Sequence, residues 1–355
     1  MSAKNVVVVA GVHGVSGRAS AIEWSKVPNT VVYGLSRRSG DVPEGVKPVI
    51  LDLLDPAGTK LALSKIEPVT HVVFGAYIEK ATAAEKSSFN TAILANLLDA
   101  VDANGSSQLR HVTFYQGGKA YGADLGPFKT PAREDDPRLM PPNFYYDQED
   151  LLRQRQVGRS WSWSALRPEA ICGFGLSNPM NLAMSIAIYA TISKELGLPL
   201  RFPGTEAAYN ALYQVTSADI LAKATVWAGT TASAENEIFN ITNGDYFRWK
   251  HLWPRIAKCF DLEVADPIPT PLASYMTDKV PVWERIIEKH GLQPIPYAAV
   301  SAWPFADFIF NSGFDNITST IKARRAGFHE CIDSEDMFRE FFDELRLNKI
   351  IPTLA

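Results

Sequence analysis

Nowhere in its 355 residues does the chain carry an apolar run near the ~20 residues that a membrane-crossing helix needs, so no membrane partner is expected. It has no basic block, and its net charge is −4, which argues against nucleic acid as a partner. Cysteine is scarce. Cys172, Cys259 and Cys331 are odd in number, scattered and in no metal spacing, as structural thiols of a reducing cytoplasm would be. The six histidines form no H-x-x-x-H or H-E-x-x-H pattern, so no metal site is expected. The first apolar run begins by Asn5, which leaves no room for a signal peptide, and the expected location is cytoplasmic. Internal repeats and low-complexity stretches are absent too. With 46% apolar and 21% charged residues, the composition is that of a soluble globular protein.

What is present begins at once. Val6 to Val9 reads as a strand buried on both faces of a parallel sheet. It runs into Gly11-x-x-Gly14-x-x-Gly17, then a helix-like segment Arg18 to Ser25, then a second strand Thr30 to Leu35. Strand, glycine turn, helix and strand within about thirty residues is the setting of a dinucleotide fingerprint. Gly11 permits the sharp turn, Gly14 lets a pyrophosphate approach the backbone, and Gly17 lets the helix pack closely. The helix N-terminus then offers N–H groups and a positive dipole end to the phosphates. The G-x-x-G-x-x-G spacing resembles the extended short-chain dehydrogenase/reductases.

The end of the second strand decides between NAD and NADP. An NAD site usually places a carboxylate there for the ribose 2′-hydroxyl. Here Ser36-Arg37-Arg38-Ser39 follows Leu35, and guanidinium suits a phosphate dianion, so the cofactor is read as NADP(H). Further strands are expected at Val46 to Asp52, His71 to Ala76 and Leu109 to Tyr115, with a helix over Asn90 to Ala103. Asp52 stands where a polar side chain often reaches the adenine edge. Strands at Ile171 and Phe239 interleave the second half with the first. The expectation is therefore an α/β, doubly wound Rossmann sheet with a smaller C-terminal substrate-binding lobe. Residues 1–170 form the NADP-binding core, and 171–355 complete the sheet and build the lobe on one integrated core.

Two Tyr-x-x-x-Lys spacings occur, Tyr115/Lys119 and Tyr275/Lys279. The first lies at a strand exit with two glycines inside it, and the second lies far outside the nucleotide half. Neither fits the usual catalytic pair. A denser stretch, Pro142-Asn-Phe-Tyr-Tyr-Asp-Gln-Glu-Asp-Leu-Leu152, follows a proline-rich loop and opens a helix.

Gly117-Gly118-Lys119 with Gly126-Pro127-Phe128, then NFYYDQEDLL, resembles the progesterone 5β-reductase/iridoid synthase-like family of atypical extended short-chain dehydrogenases. Ser164 to Phe174, Asn240 to Trp253 and Val282 to Leu292 extend the likeness over nearly the whole chain. The resemblance implies a split catalytic pair, Lys119 from the loop after strand five and Tyr145 from the first tyrosine of NFYY. It implies NADPH-dependent 1,4-reduction of an enone or enal, with Tyr145 stabilising the enolate oxygen and Lys119 assisting. Together with the glycine turn it assigns the cofactor to Gly11, His13, Gly14, Val15, Gly17, Ser36, Arg37, Arg38, Asp52, Leu53, Ala76, Tyr145 and Ile171. It places the substrate pocket at Tyr77, Tyr146, Trp303 and Phe305. Departures from the family are His13 in place of a usual Thr, and Tyr77 and Trp303-Pro304-Phe305 where plant members carry other aromatics. The late aromatics Tyr209, Tyr213, Phe308 and Phe310 are further candidates for an apolar pocket. The expected partner is a small hydrophobic enone or carbonyl compound. Surface helices leave room for a homodimer, with no heptad to mark the pairing face. The alternatives are a carbonyl 1,2-reductase on the same groups, a non-catalytic NADP sensor, and a nucleotide-sugar epimerase, the last weakened by the missing Tyr-x-x-x-Lys.

Overall fold

A computed structural model describes residues 4–105 and 108–354. Seven strands make one sheet: β1 (Asn5–Ala10), β2 (Thr30–Ser36), β3 (Val46–Ile50), β4 (His71–Phe74), β5 (His111–Tyr115), β6 (Ser162–Pro168) and β7 (Glu237–Ile241). Their order is β7-β6-β5-β4-β1-β2-β3, and every adjacent pair is parallel. The chain moves outward from β1 to β3, returns to β4 and moves outward the other way. That reversal beside β1 is the topological switch point of a Rossmann sheet, where a crevice opens at the strands' C-terminal ends.

Burial on both faces explains the apolar runs. In β1, Val7 and Val9 pack with Ala21 and Trp24 of α1 (Val15–Ser25). Val6 and Val8 pack on the opposite face with Leu94 and Leu97 of α3 (Ala83–Gly105). The short α2 (Pro56–Leu63) and α4 (Phe144–Gln156) lie beside α3. The period-2 alternation of a strand thus serves two cores at once. α1 starts at Val15, three residues before the expected Arg18, because the extended Gly14 already acts as its N-cap. Strands β3 and β4 stop two residues earlier than expected, at Ile50 and Phe74.

After β6 the chain leaves the sheet and builds the lobe. α5 (Leu182–Glu195) is buried nearly all round, as a central helix must be. Around it pack α7 (Trp249–Cys259), α8 (Val280–His290), α9 (Trp303–Phe310) and α10 (Ser334–Leu347), with Trp249, Trp253, Trp283, Phe338 and Phe342 in one core. Between α5 and α7 the chain returns to the sheet, through α6 (Ala218–Thr230) against α1 and then β7. Ala170–Cys172 pairs in parallel with Val215–Ser217 and ties lobe to sheet. Among the described residues no helix is long and apolar enough to cross a membrane.

Candidate active site

A cleft of about 880 Å³ lies over the C-terminal ends of the strands, between sheet and lobe. Its floor is the glycine turn. Gly11 has φ +84°, and a Cβ there would stand 2.8 Å from the carbonyl oxygen of Gly75 at the exit of β4. Only glycine fits that turn. Gly14 and Val15 line the cleft. Gly17 does not line it: a Cβ there would meet Gly11 O at 2.2 Å, so this glycine lets α1 sit directly on the turn.

At the exit of β2, the Ser36 hydroxyl donates to Arg38 O at 2.6 Å and accepts from Arg38 N at 3.1 Å. This closes a local turn. Arg37 and Arg38 are exposed, line the cleft, and have no side-chain partner among the described residues. His13 packs by its ring against Gly40 just beyond them. Asp52, Leu53 and Ala76 complete this end, and the Asp52 carboxylate accepts from Leu54 N at 3.0 Å. These two guanidiniums, unpaired among the described residues, stand beside a glycine-floored trough that could hold a dinucleotide.

The segment after β5 closes in a single 3₁₀ turn, Gly118–Tyr121, that carries Lys119. Tyr115 is turned away from it: its hydroxyl is bonded to Ser20 at 2.6 Å and Thr225 at 2.8 Å. Tyr275, the other rejected candidate, is exposed. Tyr145 opens α4. Asn143 caps that helix by accepting from Tyr145 N at 3.0 Å, and the same amide donates to Lys119 O at 3.0 Å. One side chain therefore joins two segments 26 residues apart. Gln116 adds a second tie, donating to Tyr145 O at 3.0 Å and accepting from Arg167 Nε at 2.6 Å. Beneath it Glu149, buried on α4, pairs with Arg138 and Arg153 at 3.0 Å and with buried Arg167 at 3.6 Å.

The Tyr145 hydroxyl lies 3.3 Å from where a Cβ on Gly117 would stand. Burial raises its pKa, the charges of Asp124 and Glu169 raise it further, and Arg167 opposes them. The phenol is held protonated and is a donor. Across the cleft mouth Tyr77 donates to Glu79, which also pairs with Lys86. Burial pushes the Glu79 carboxyl up, but bonds from Lys86 and Tyr77 and the charges of Lys86 and Lys119 outweigh it, and its pKa is lowered.

The lobe side of the cleft is mainly apolar: Ile171, Leu176, Tyr213, Phe305, Phe308 and Ile309. Two expected pocket residues lie elsewhere. Tyr146 is buried behind the site, donating its hydroxyl to Ala120 O at 2.8 Å and accepting from Leu139 N at 3.1 Å. Trp303 is in the lobe core with Phe310, and Tyr209 packs against that core. Helical spacing separates the two sets on α9. Trp303, Ala306 and Phe310 face the core, whereas Phe305, Phe308 and Ile309 line the cleft. Three polar groups have no counterpart in the sequence reading: Asn143, Glu169 and Asn316. Glu169 and Asn316 lie in the cleft wall, where Asn316 Nδ2 donates to Glu169 Oε2 at 3.2 Å. Burial pushes the Glu169 carboxyl up to about 8, against the lowering bond from Asn316.

A family profile described as a PRISE-like Rossmann-fold domain matches residues 53–352, beginning just after β3. Among curated proteins, (S)-8-oxocitronellyl enol synthase CYC2 of Camptotheca acuminata is 33% identical over 98% of this chain and 94% of its own length. The (S)-8-oxocitronellyl enol synthase of Catharanthus roseus is 33% identical over 99% and 93%. The short chain dehydrogenase gsfE of Penicillium aethiopicum is 32% identical over 97% and 98%. Among solved structures, the NAD complex of a Thermus thermophilus UDP-glucose 4-epimerase superposes with a TM-score of 0.65 at 19% identity, covering 96% of this chain and 99% of the epimerase. An NAD-bound short-chain dehydrogenase/reductase superfamily protein of Agrobacterium tumefaciens gives 0.68 at 16%, covering 98% of each chain. At those identities the structures establish the shared fold.

Proposed function

This chain belongs to the PRISE-like Rossmann-fold family of short-chain dehydrogenase/reductase enzymes, and we propose that it is an NADPH-dependent reductase of activated C=C bonds, in enones or enals. The observation that carries the reading is the clasped pair: Asn143 bonds both the Lys119 turn and the Tyr145 helix start, on the wall of a cleft rimmed by two unpaired arginines. Three full-length relatives, two of them named as enol synthases, support it.

Bound NADPH supplies the hydride that adds to the β-carbon of the double bond. The chain's own residues do the rest. Gly11, Gly14 and the N-terminus of α1 receive the pyrophosphate, Arg37 and Arg38 the 2′-phosphate. The protonated Tyr145 hydroxyl donates to the substrate carbonyl oxygen as negative charge develops there. A fixed donor aimed at a developing oxyanion contributes ~3–4 kcal/mol to the barrier change. Lys119 adds positive charge beside that oxygen and a donor for the cofactor ribose. The apolar lobe wall excludes water and seats a hydrophobic substrate.

The test is NADPH oxidation, followed by absorbance, with 2-cyclohexen-1-one and progesterone, and products assigned by NMR. Saturated ketones are expected; allylic alcohols would move the enzyme to 1,2-reduction with the same groups. Tyr145→Phe should lower turnover at least a hundredfold while NADPH affinity stays within about twofold. Unchanged turnover would remove Tyr145 from the mechanism.

A further inference from the structure

The polar pair in the lobe wall is out of keeping with its surroundings. Glu169 is only 6% exposed and makes no ion pair among the described residues. Its backbone N–H donates to Thr216 at 3.0 Å, and its side chain takes the one bond from Asn316. Glu169 Oε1 and Asn316 Oδ1 are both buried, and neither has a hydrogen-bond partner among the described residues. Burial holds the neighbouring Tyr213 phenol well above its ordinary pKa, and the Asn316 amide only partly opposes that shift, while Asn316 Oδ1 itself stays unpartnered. Glu169 also packs against Gly118, with both carboxyl oxygens within 3.2 Å of where a Cβ would stand, so the pair sits one residue from Lys119. Each unsatisfied buried polar atom is unfavourable by ~1–3 kcal/mol. Two side by side in an apolar wall, with aromatic neighbours Tyr213, Phe305 and Phe308, are a cost that a ligand can relieve.

We propose that Glu169 and Asn316 form a recognition point for a hydroxyl group carried by the hydrophobic substrate away from its reacting double bond. The inference rests on reading the cleft as the substrate site of a reductase. The argument is complementarity. Asn316 gives one of its two N–H groups to Glu169 Oε2, and its unpartnered atom is the acceptor Oδ1. A Glu169 carboxyl kept neutral by burial has a donor left on Oε1. A hydroxyl accepts from one and donates to the other. A carbonyl would leave Asn316 Oδ1 bare, and an alkyl group would leave both bare.

The experiment compares a graded series of trans-2-alkenals with their terminal-hydroxy counterparts, so that chain length samples the unknown separation. The readout is the ratio of kcat/KM for each hydroxylated compound over its plain partner. At the best-fitting length the wild-type ratio should be about tenfold, what one net hydrogen bond is worth. Glu169→Leu and Asn316→Leu should each bring it to about one. Glu169→Gln, which retains a donor, should keep most of it and shows that loss in the leucine variant is not misfolding. A ratio near one at every length, or a preference that survives both leucine variants, overturns the proposal and leaves the reductase reading intact. If no alkenal of either series is reduced, the reductase reading fails. Calorimetric binding of the terminal-hydroxy and plain alkenals to NADPH-loaded protein then decides the hydroxyl preference by the same ratio, now of dissociation constants.

Discussion

Asn143→Ser separates the two jobs of the clasp. Serine caps a helix about as well as asparagine, so the bond to Tyr145 N is replaced at a cost of a few tenths of a kcal/mol. It is too short to reach Lys119 O, whose remaining donor is Gly122 N at 3.3 Å. The lost bond is worth about 1 kcal/mol, well inside the ~5–15 kcal/mol stability of a folded protein, so the variant stays folded. The effect on turnover is larger than the effect on stability. Released from Asn143, the Lys119 turn and the Tyr145 helix are no longer fixed to each other, and a misplacement of ~1 Å is worth about a hundredfold in rate. Under saturating NADPH and enone, kcat should fall ten- to a hundredfold, while urea unfolding moves by about 1 kcal/mol. Asn143→Asp should fall at least as far, since it keeps the cap but sets a carboxylate against the Lys119 carbonyl. The control is Asp333→Ala, which removes the distant cap of α10, where Asp333 accepts from Glu335 N at 2.8 Å. It should weaken the fold by about 1 kcal/mol and leave kcat within twofold. An Asn143→Ser enzyme with wild-type kcat would refute the clasp.

Replacing both Arg37 and Arg38 by serine should weaken NADPH binding ten- to a hundredfold and leave NADH binding within about threefold, read by fluorescence titration. Gly17→Ala should abolish soluble expression or NADPH binding, because its Cβ would stand 2.2 Å from a backbone oxygen that cannot move without the glycine turn. Acid should weaken the fold through buried His71, whose pKa burial lowers to about 4, with Arg110 adding to the shift. Above pH 6.5 both folded and unfolded rings are neutral; below it the unfolded ring takes a proton that the folded ring refuses until about pH 4, so stability falls through that window. Between pH 7 and pH 5 His71→Gln should lose about 2 kcal/mol less than wild type in urea unfolding, and equal losses would refute the assignment.

The sheet was legible because its signals are local. Four valines in a row, a glycine every third residue and a basic turn each declare themselves within a few positions; β1 to β5 lie within two residues of where periodicity puts them and β7 covers the strand expected at Phe239, whereas the strand at Ile171 pairs with Val215–Ser217 outside this sheet. Tyr145 and Lys119 were legible through a resemblance, since nothing in their spacing joins them. What joins them is Asn143, a residue that reads as an ordinary helix cap. Glu169 and Asn316 are 147 positions apart, and only the folded chain brings them together. Trp303 and Tyr146 misled for the opposite reason: they neighbour site residues in sequence, but a helix turns successive side chains by about a hundred degrees and sends them to different sides.

The path of the chain also orders events during synthesis. The glycine turn, the arginine rim, the Lys119–Tyr145 clasp and the last strand of the sheet are all made by residue 241, whereas Phe305, Phe308 and Asn316 come from α9 and the segment beyond it. A nascent chain that has just released β7 from the ribosome thus holds the parts for the dinucleotide and none of the late aromatic wall. In evolution the same separation lets the roof of the cleft change without rewriting its floor. Replacements along one face of a single late helix, at positions such as 305, 308 and 309, can retune which compound is received while the machinery that grips the cofactor is inherited whole.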